Sequence, residues 1–390
     1  MKKHIHTISL VALLCSGLLF VSFRKSAPQP NPVSPTEKKM PKIQVAILLD
    51  VSNSMDGLIE QAKAQLWNMA SVMGRTRCGG ATPAIEIALF EYGRSNNDIK
   101  DGYVKQLSGF TTDLDKLSQM LFNITTYGGN EFCGQVMYTS LTKLNWDTSA
   151  ANYKVIFIAG NEDFLQGRVN YITACDEAKK KGVIINTIYC GDKMQGIREH
   201  WNIIGECGTG SYTNINQDAA VDDIATPYDS ILISLNDQLN NTYIAYGTAG
   251  YSHAAKQAEM DQRNYSMSKS VGINRVTVKG KKQLYKNTHW DLVDAEESDP
   301  SFINKVDMKT LPDSLKNKSR AELKQIVQKK NAERGNIQKA IAGTSIKREG
   351  YIKSEKAKKA GSKNIATLET EIEKIIKQQA MRFNMTIEQI

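Results

Sequence analysis

Paired cysteines at metal-binding spacing are missing from this chain. None of its six cysteines falls in a CxxC pattern, and no Cys/His spacing suits a structural zinc. A Gly-x-Ser-x-Gly elbow is absent, which removes the usual serine hydrolase. Neither a Walker loop nor a Gly-x-Gly-x-x-Gly turn is present to cradle phosphates. Histidine is scarce: there are five, His4 and His6 lie in the N-terminal leader, and His200 has no nucleophile to pair with. No basic motif interleaved with stacking aromatics points to specific nucleic-acid binding. These gaps leave catalysis without support, and the expectation is a non-enzymatic protein.

Proline is also scarce. Five of the nine, Pro28, Pro30, Pro32, Pro35 and Pro41, crowd into 27–41, which reads as an extended linker. Before it, Lys2 and Lys3 precede the apolar run Ile8 to Phe20, too short to span a bilayer comfortably. Residues 1–26 are therefore expected to be a signal peptide or N-terminal anchor, placing the protein in the periplasm or cell envelope. Five cysteines follow: Cys78, Cys133, Cys175, Cys190 and Cys207. An exported chain can oxidise them, but the odd count leaves one unpaired and fixes no connectivity.

What the chain has is strands alternating with helices over 42–225. Apolar runs at Ile43–Asp50, Ile85–Tyr92, Tyr153–Ala159 and Val183–Tyr189 read as buried strands, with a weaker edge strand at Tyr103–Phe110 and a short last one at Tyr212–Ile215. Helical stripes cover Leu58–Met73, Leu114–Ile124, Glu131–Leu144, Val169–Ala178 and Ile197–Ile204. This pattern predicts an α/β fold: a doubly wound, mostly parallel sheet with helices on both faces. Ligands then bind beyond the carboxyl ends of the strands, where Asp50, the loop 159–163 and the loop 190–192 converge.

After about 225 the pattern becomes helical. Pro227–Tyr243 and His253–Ser270 read as helices, and 271–285 fits helix or extended chain equally. Trp290-Asp291-Leu292-Val293-Asp294 is an apolar and acidic patch expected to dock on something; Trp201 and Trp290 are expected to be packing residues. Ser319 with Glu322 forms a capping box that opens a long helix through Leu323, Val327, Ile337 and Ile341. Leu368, Ile372, Ile375, Ile376 and Ala380 stripe a last one. The net charge is +9, and the basic excess lies in 301–390, expected to be a solvated helical hairpin; contact of this basic tail with a membrane or polyanion is the alternative.

Asp50-Val51-Ser52-Asn53-Ser54 closes the first strand and opens the first helix. One carboxylate and two hydroxyls on a single turn are hard oxygen donors that suit Mg²⁺, Ca²⁺ or Mn²⁺. At this string, over about 42–220, the sequence resembles the von Willebrand factor type A (VWA) family, whose metal-ion-dependent adhesion site opens this way. The resemblance implies a Rossmann-like sheet and a divalent ion held by Asp50, Ser52 and Ser54. It also implies a second loop with threonine, where Gly128-Gly129-Asn130-Glu131 puts Asn130, and a third loop with aspartate, where Ala159-Gly160-Asn161 carries none. Glu162 is the nearest replacement in that loop, and Glu131 stands next to Asn130. Asn53, Glu131, Asp163 and Asp192 complete the expected partner-binding rim.

The function expected from this is an exported module that captures a partner protein through the ion, by an acidic side chain of the partner. The alternative is an envelope scaffold acting through the basic tail, with a metal-free VWA domain. Helix capping is the plainer role for Ser52 and Ser54.

Overall fold

The computed structural model describes residues 41–219, 223–358 and 367–388. The expected leader and nearly all of the proline-rich linker lie outside these residues. Among the described residues no helix is long and apolar enough to cross a membrane.

In chain order the elements are β1 (Lys42–Asp50), α1 (Asp56–Met73), β2 (Thr76–Cys78), β3 (Ala84–Tyr92), β4 (Lys105–Thr111), α2 (Leu114–Asn123) and α3 (Cys133–Lys143). Then come β5 (Tyr153–Gly160), α4 (Tyr171–Lys181), β6 (Ile184–Cys190), α5 (Lys193–Arg198), α6 (Trp201–Cys207) and β7 (Thr209–Ile215). The C-terminal part adds α7 (Asp229–Asn240), α8 (Gly250–Met267), α9 (Lys269–Lys279), α10 (Leu292–Ser298), α11 (Phe302–Lys305) and α12 (Asp313–Lys316). It ends with α13 (Arg320–Lys358), α14 (Leu368–Ala380) and β8 (Met385–Ile387).

The main sheet has six strands in the order β4-β3-β1-β5-β6-β7, all parallel except the edge strand β4. β1 is buried almost throughout because it has helices on both sides and strands at both edges. Its side chains alternate accordingly. Val45, Ile47 and Leu49 enter the core under α1 and α2, while Ala46 and Leu48 enter the core under α3, α4 and α6. The doubly wound sheet foreseen from the alternating pattern is the one found. Its neighbours β3 and β5 lie on opposite sides of β1, so the chain reverses its winding direction there and opens a crevice at the carboxyl end of β1. Asp50 is the last residue of that strand.

The helical region after 225 forms, as expected, but it is no separate body: among the described residues it forms a single unit with the sheet. α14 supplies Leu368, Ile372, Ile375, Ile376 and Ala380 to the core under α1, and β8 pairs with β2, a small sheet the alternating pattern did not reveal. The ambiguous stretch after 271 begins as helix, in α9. Arg275 of α9, 1% exposed, pairs with Asp115 of α2 and with Asp261 of α8 at 2.6 Å, and stacks over Trp67 of α1 at 4.5 Å. The acidic patch at 291–294 docks on α13: Asp291 and Asp294 accept from Arg334 at 2.7 and 2.8 Å. Trp201 and Trp290 are buried packing residues. The helix foreseen at Ile197–Ile204 is two, α5 and α6, separated at His200, whose φ of 64° breaks the helical path.

Candidate functional site at the end of the first strand

Asp50 is fully buried. Its Oδ1 accepts from the Ser52 backbone N–H at 2.8 Å, and its Oδ2 has no hydrogen-bond partner. Burial, and then the nearby charges of Glu131 and Glu162, push this carboxyl up to about 8, with the Ser52 amide opposing. Glu131, 8% exposed, is pushed up to about 7 by burial and then by Glu162. No cation figures among the main influences on either group.

The serines make no side-chain capping bond to the helix. Ser52 precedes a turn at Asn53–Met55 and makes no side-chain capping bond. Instead the Ser52 and Ser54 hydroxyls lie 3.3 Å apart, and Ser54 hydrogen-bonds the Asn161 side chain at 3.2–3.3 Å. That contact joins the first loop to the third. Gln217, following β7, donates to the Ser54 carbonyl at 2.9 Å and holds the turn from the other side.

Two glycines explain the local shape. Gly93 has a φ of 86°, and a Cβ on it would stand 2.6 Å from Asp50 Oδ1 and 3.0 Å from Glu131 Cγ. Only a residue without a side chain lets those two acids close on the same point. A Cβ on Gly160 would stand 2.6 Å from the Tyr92 hydroxyl and 3.0 Å from Asp50 Oδ2. The third-loop aspartate implied by the family resemblance is absent where Tyr92, donating to the Ala159 carbonyl at 3.0 Å, fills its space.

The second loop departs from the sequence expectation. Asn130, aligned with the threonine of the family, is exposed; the buried residue that acts on Asp50 is its neighbour Glu131. In the third loop Glu162 is exposed and influences both acids through its charge, while Asn161 makes the direct contact with Ser54. Asn53 is exposed beside Gly128. Asp163 accepts from the Leu165 amide and meets His200 Nδ1 at 3.1 Å. Asp192 caps α5 through the Met194 and Gln195 amides. Asp163 and Asp192 thus shape the rim loops and do not join Asp50. The part Tyr92 plays, and the bond from Asn161 to Ser54 within the expected third loop, were not foreseen: tyrosine in a buried strand reads only as core, and a loop asparagine carries no pattern.

Among the described residues no three Asp, Glu, His or Cys side chains come close enough together to hold a metal by themselves. The donor set that does assemble is two carboxylates, Asp50 and Glu131, with the hydroxyls of Ser52 and Ser54. It is all hard oxygen, and it includes an orphaned buried carboxylate oxygen. These residues fit a divalent cation of the Mg²⁺, Ca²⁺ or Mn²⁺ class. Beneath them lie the free buried thiols Cys133 and Cys190, which burial pushes well up and keeps protonated. Cys175 and Cys207 form a disulfide, a pairing of α4 with α6 that sequence order could not reveal.

No family model and no curated protein matches the chain. Solved structures do resemble it. One is an aerotolerance-related membrane protein from Bacteroides fragilis, 13% identical over 45% of this chain and 93% of that one, TM-score 0.33. Another is proximal thread matrix protein 1 from the mussel byssus with a zinc-occupied MIDAS motif, 13% identical over 45% of this chain and 42% of that one, TM-score 0.35. A third is a von Willebrand factor type A structure from Catenulispora acidiphila, 12% identical over 45% of this chain and 39% of that one, TM-score 0.33. This chain thus spans less than half of the latter two. Structural neighbours of the chain therefore include VWA domains, the family its sequence resembles; the fold itself stands on the strand order and register above.

Proposed function

We propose that the chain is a binding protein that holds a divalent cation at the end of β1 and presents the surrounding loops to a partner protein. The observation that carries this reading is the Asp50 carboxyl group: buried, with one oxygen unpartnered, beside a second buried acid, and with no cation among its main influences in the described residues. Burying unpaired negative charge costs several kcal/mol, which a dication between the two groups would reverse. Asp50 and Glu131 would hold the ion, and Ser52 and Ser54 would add hydroxyl oxygens or water-bridged contacts. A bound ion would supply positive charge and an ordered rim; no chemical step is assigned to the site. An envelope location and export follow from the leader expected at 1–26, and remain part of the proposal.

The scaffolding alternative has no specific observation in its favour, because α14 and β8 are built into the same body as the sheet. The test is capture from the protein's own cell envelope by the full chain, with and without chelator, in parallel with Asp50→Ala. Metal-dependent capture that is lost in the variant supports the reading. Equal capture under all conditions contradicts it.

A further inference from the structure

We propose that Glu131 closes the cation site from within, taking the coordination position that a partner's carboxylate would otherwise fill. The inference rests on the cation reading above and changes the partner chemistry expected from the sequence.

Placement is the first ground. Glu131 ends a loop whose Gly129 lies against the backbone of Gly93–Ser95: a Cβ on Gly129 would stand 2.5 Å from the Ser95 nitrogen and 2.7 Å from the Gly93 carbonyl oxygen. This close approach, with Gly93 lacking a side chain, turns Glu131 inward beside Asp50, while Asn130 stays in solvent. The Glu131 residue is 8% exposed and Asp50 is 0% exposed. Asp50 Oδ1 and Glu131 Cγ border the same point at Gly93, 2.6 and 3.0 Å from where its Cβ would stand, which puts the two acids side by side. The Asp50 oxygen on the Glu131 side is Oδ1, and the unpartnered Oδ2, which faces Gly160, is a separate sign that the hydrogen bonding of Asp50 is incomplete.

Charge is the second ground. A dication on Asp50 alone would keep a net positive charge and attract an external anion. With Glu131 as well, the ion is neutralised, and Glu162 adds a further negative charge nearby. A carboxylate arriving from outside would make the site net negative and would meet Glu162 on approach. Around this acidic centre the rim loops expose Tyr127, Leu165 and Met194, at 54%, 45% and 57%. Such a surface suits a partner segment with apolar and basic side chains and disfavours an acidic one.

The experiment uses chelator-stripped full-length protein and Mn²⁺ as the probe. Calorimetry gives the affinity, and water-proton relaxation reports water on the bound ion, each with and without acetate. For the wild type, acetate is expected to change neither. Glu131→Thr is expected to bind Mn²⁺ about tenfold or more weakly, because one charged ligand is gone. Acetate should then displace water from the ion and restore affinity. Glu131→Gln, which keeps the size and removes the charge, should follow Glu131→Thr. Circular dichroism and melting confirm that each variant is folded. Wild-type affinity in both variants, or acetate acting equally on wild type and variants, overturns the inference and removes Glu131 from the donor set, leaving a cation held by Asp50, Ser52 and Ser54. Failure of the wild type to bind Mn²⁺ at all overturns both.

Discussion

Replacing Asp50 with asparagine should make the metal-free protein more stable at neutral pH, and the gain should grow with pH. Asparagine keeps the shape of the protonated acid and cannot ionise. In the native chain burial raises the Asp50 carboxyl to about 8 from a usual 3.8. A folded-state value above the unfolded one means that the folded form holds the proton more tightly. Its stability contribution is complete below the unfolded value and is lost as pH rises through the folded value. Each pH unit between the two removes up to about 1.4 kcal/mol, so from pH 5 to pH 8 the loss is a few kcal/mol once relaxation is allowed for. Glu131, raised to about 7, adds a loss of the same sign that the substitution leaves in place. The assay is urea unfolding of chelator-treated wild type and Asp50→Asn at several pH values across that range. The difference between them isolates this one group. A constant difference, or a wild type that gains on the variant as pH rises, would refute the argument that Asp50 is buried without a counter-charge.

Two further outcomes follow from the packing. Arg275→Met should destabilise the chain by about 3–5 kcal/mol, because it leaves Asp115 and Asp261 buried without their guanidinium; chemical denaturation measures it. Gly160→Ala should cost about 1–3 kcal/mol by collision with the Tyr92 hydroxyl, and Tyr92→Phe in the same chain should recover part of the loss in melting temperature.

Much of the fold was legible in the sequence for a physical reason. Strands buried on both faces must be apolar along their length, as 45–49 and 155–159 are, and helices between them must carry a stripe. The Asp-x-Ser-x-Ser string marked the site because strand ends in such sheets are where side chains can reach a ligand. The rest depended on contacts distant in sequence. That Glu131 rather than Asn130 turns inward is set by the packing of Gly129 on Gly93, 36 positions away in the chain. That the third loop carries no aspartate is tied to Tyr92 on another strand. The stripe on α14 was visible, but a stripe does not say what it packs on, and the face it covers belongs to α1 and to β5, β6 and β7.

The central claim is that a divalent cation binds at Asp50, and calorimetric titration of chelator-stripped protein with Mg²⁺, Ca²⁺ and Mn²⁺ tests it most directly. The account predicts saturable binding of one ion by the wild type and none by Asp50→Ala. No binding to the wild type, or equal binding to both, would contradict it.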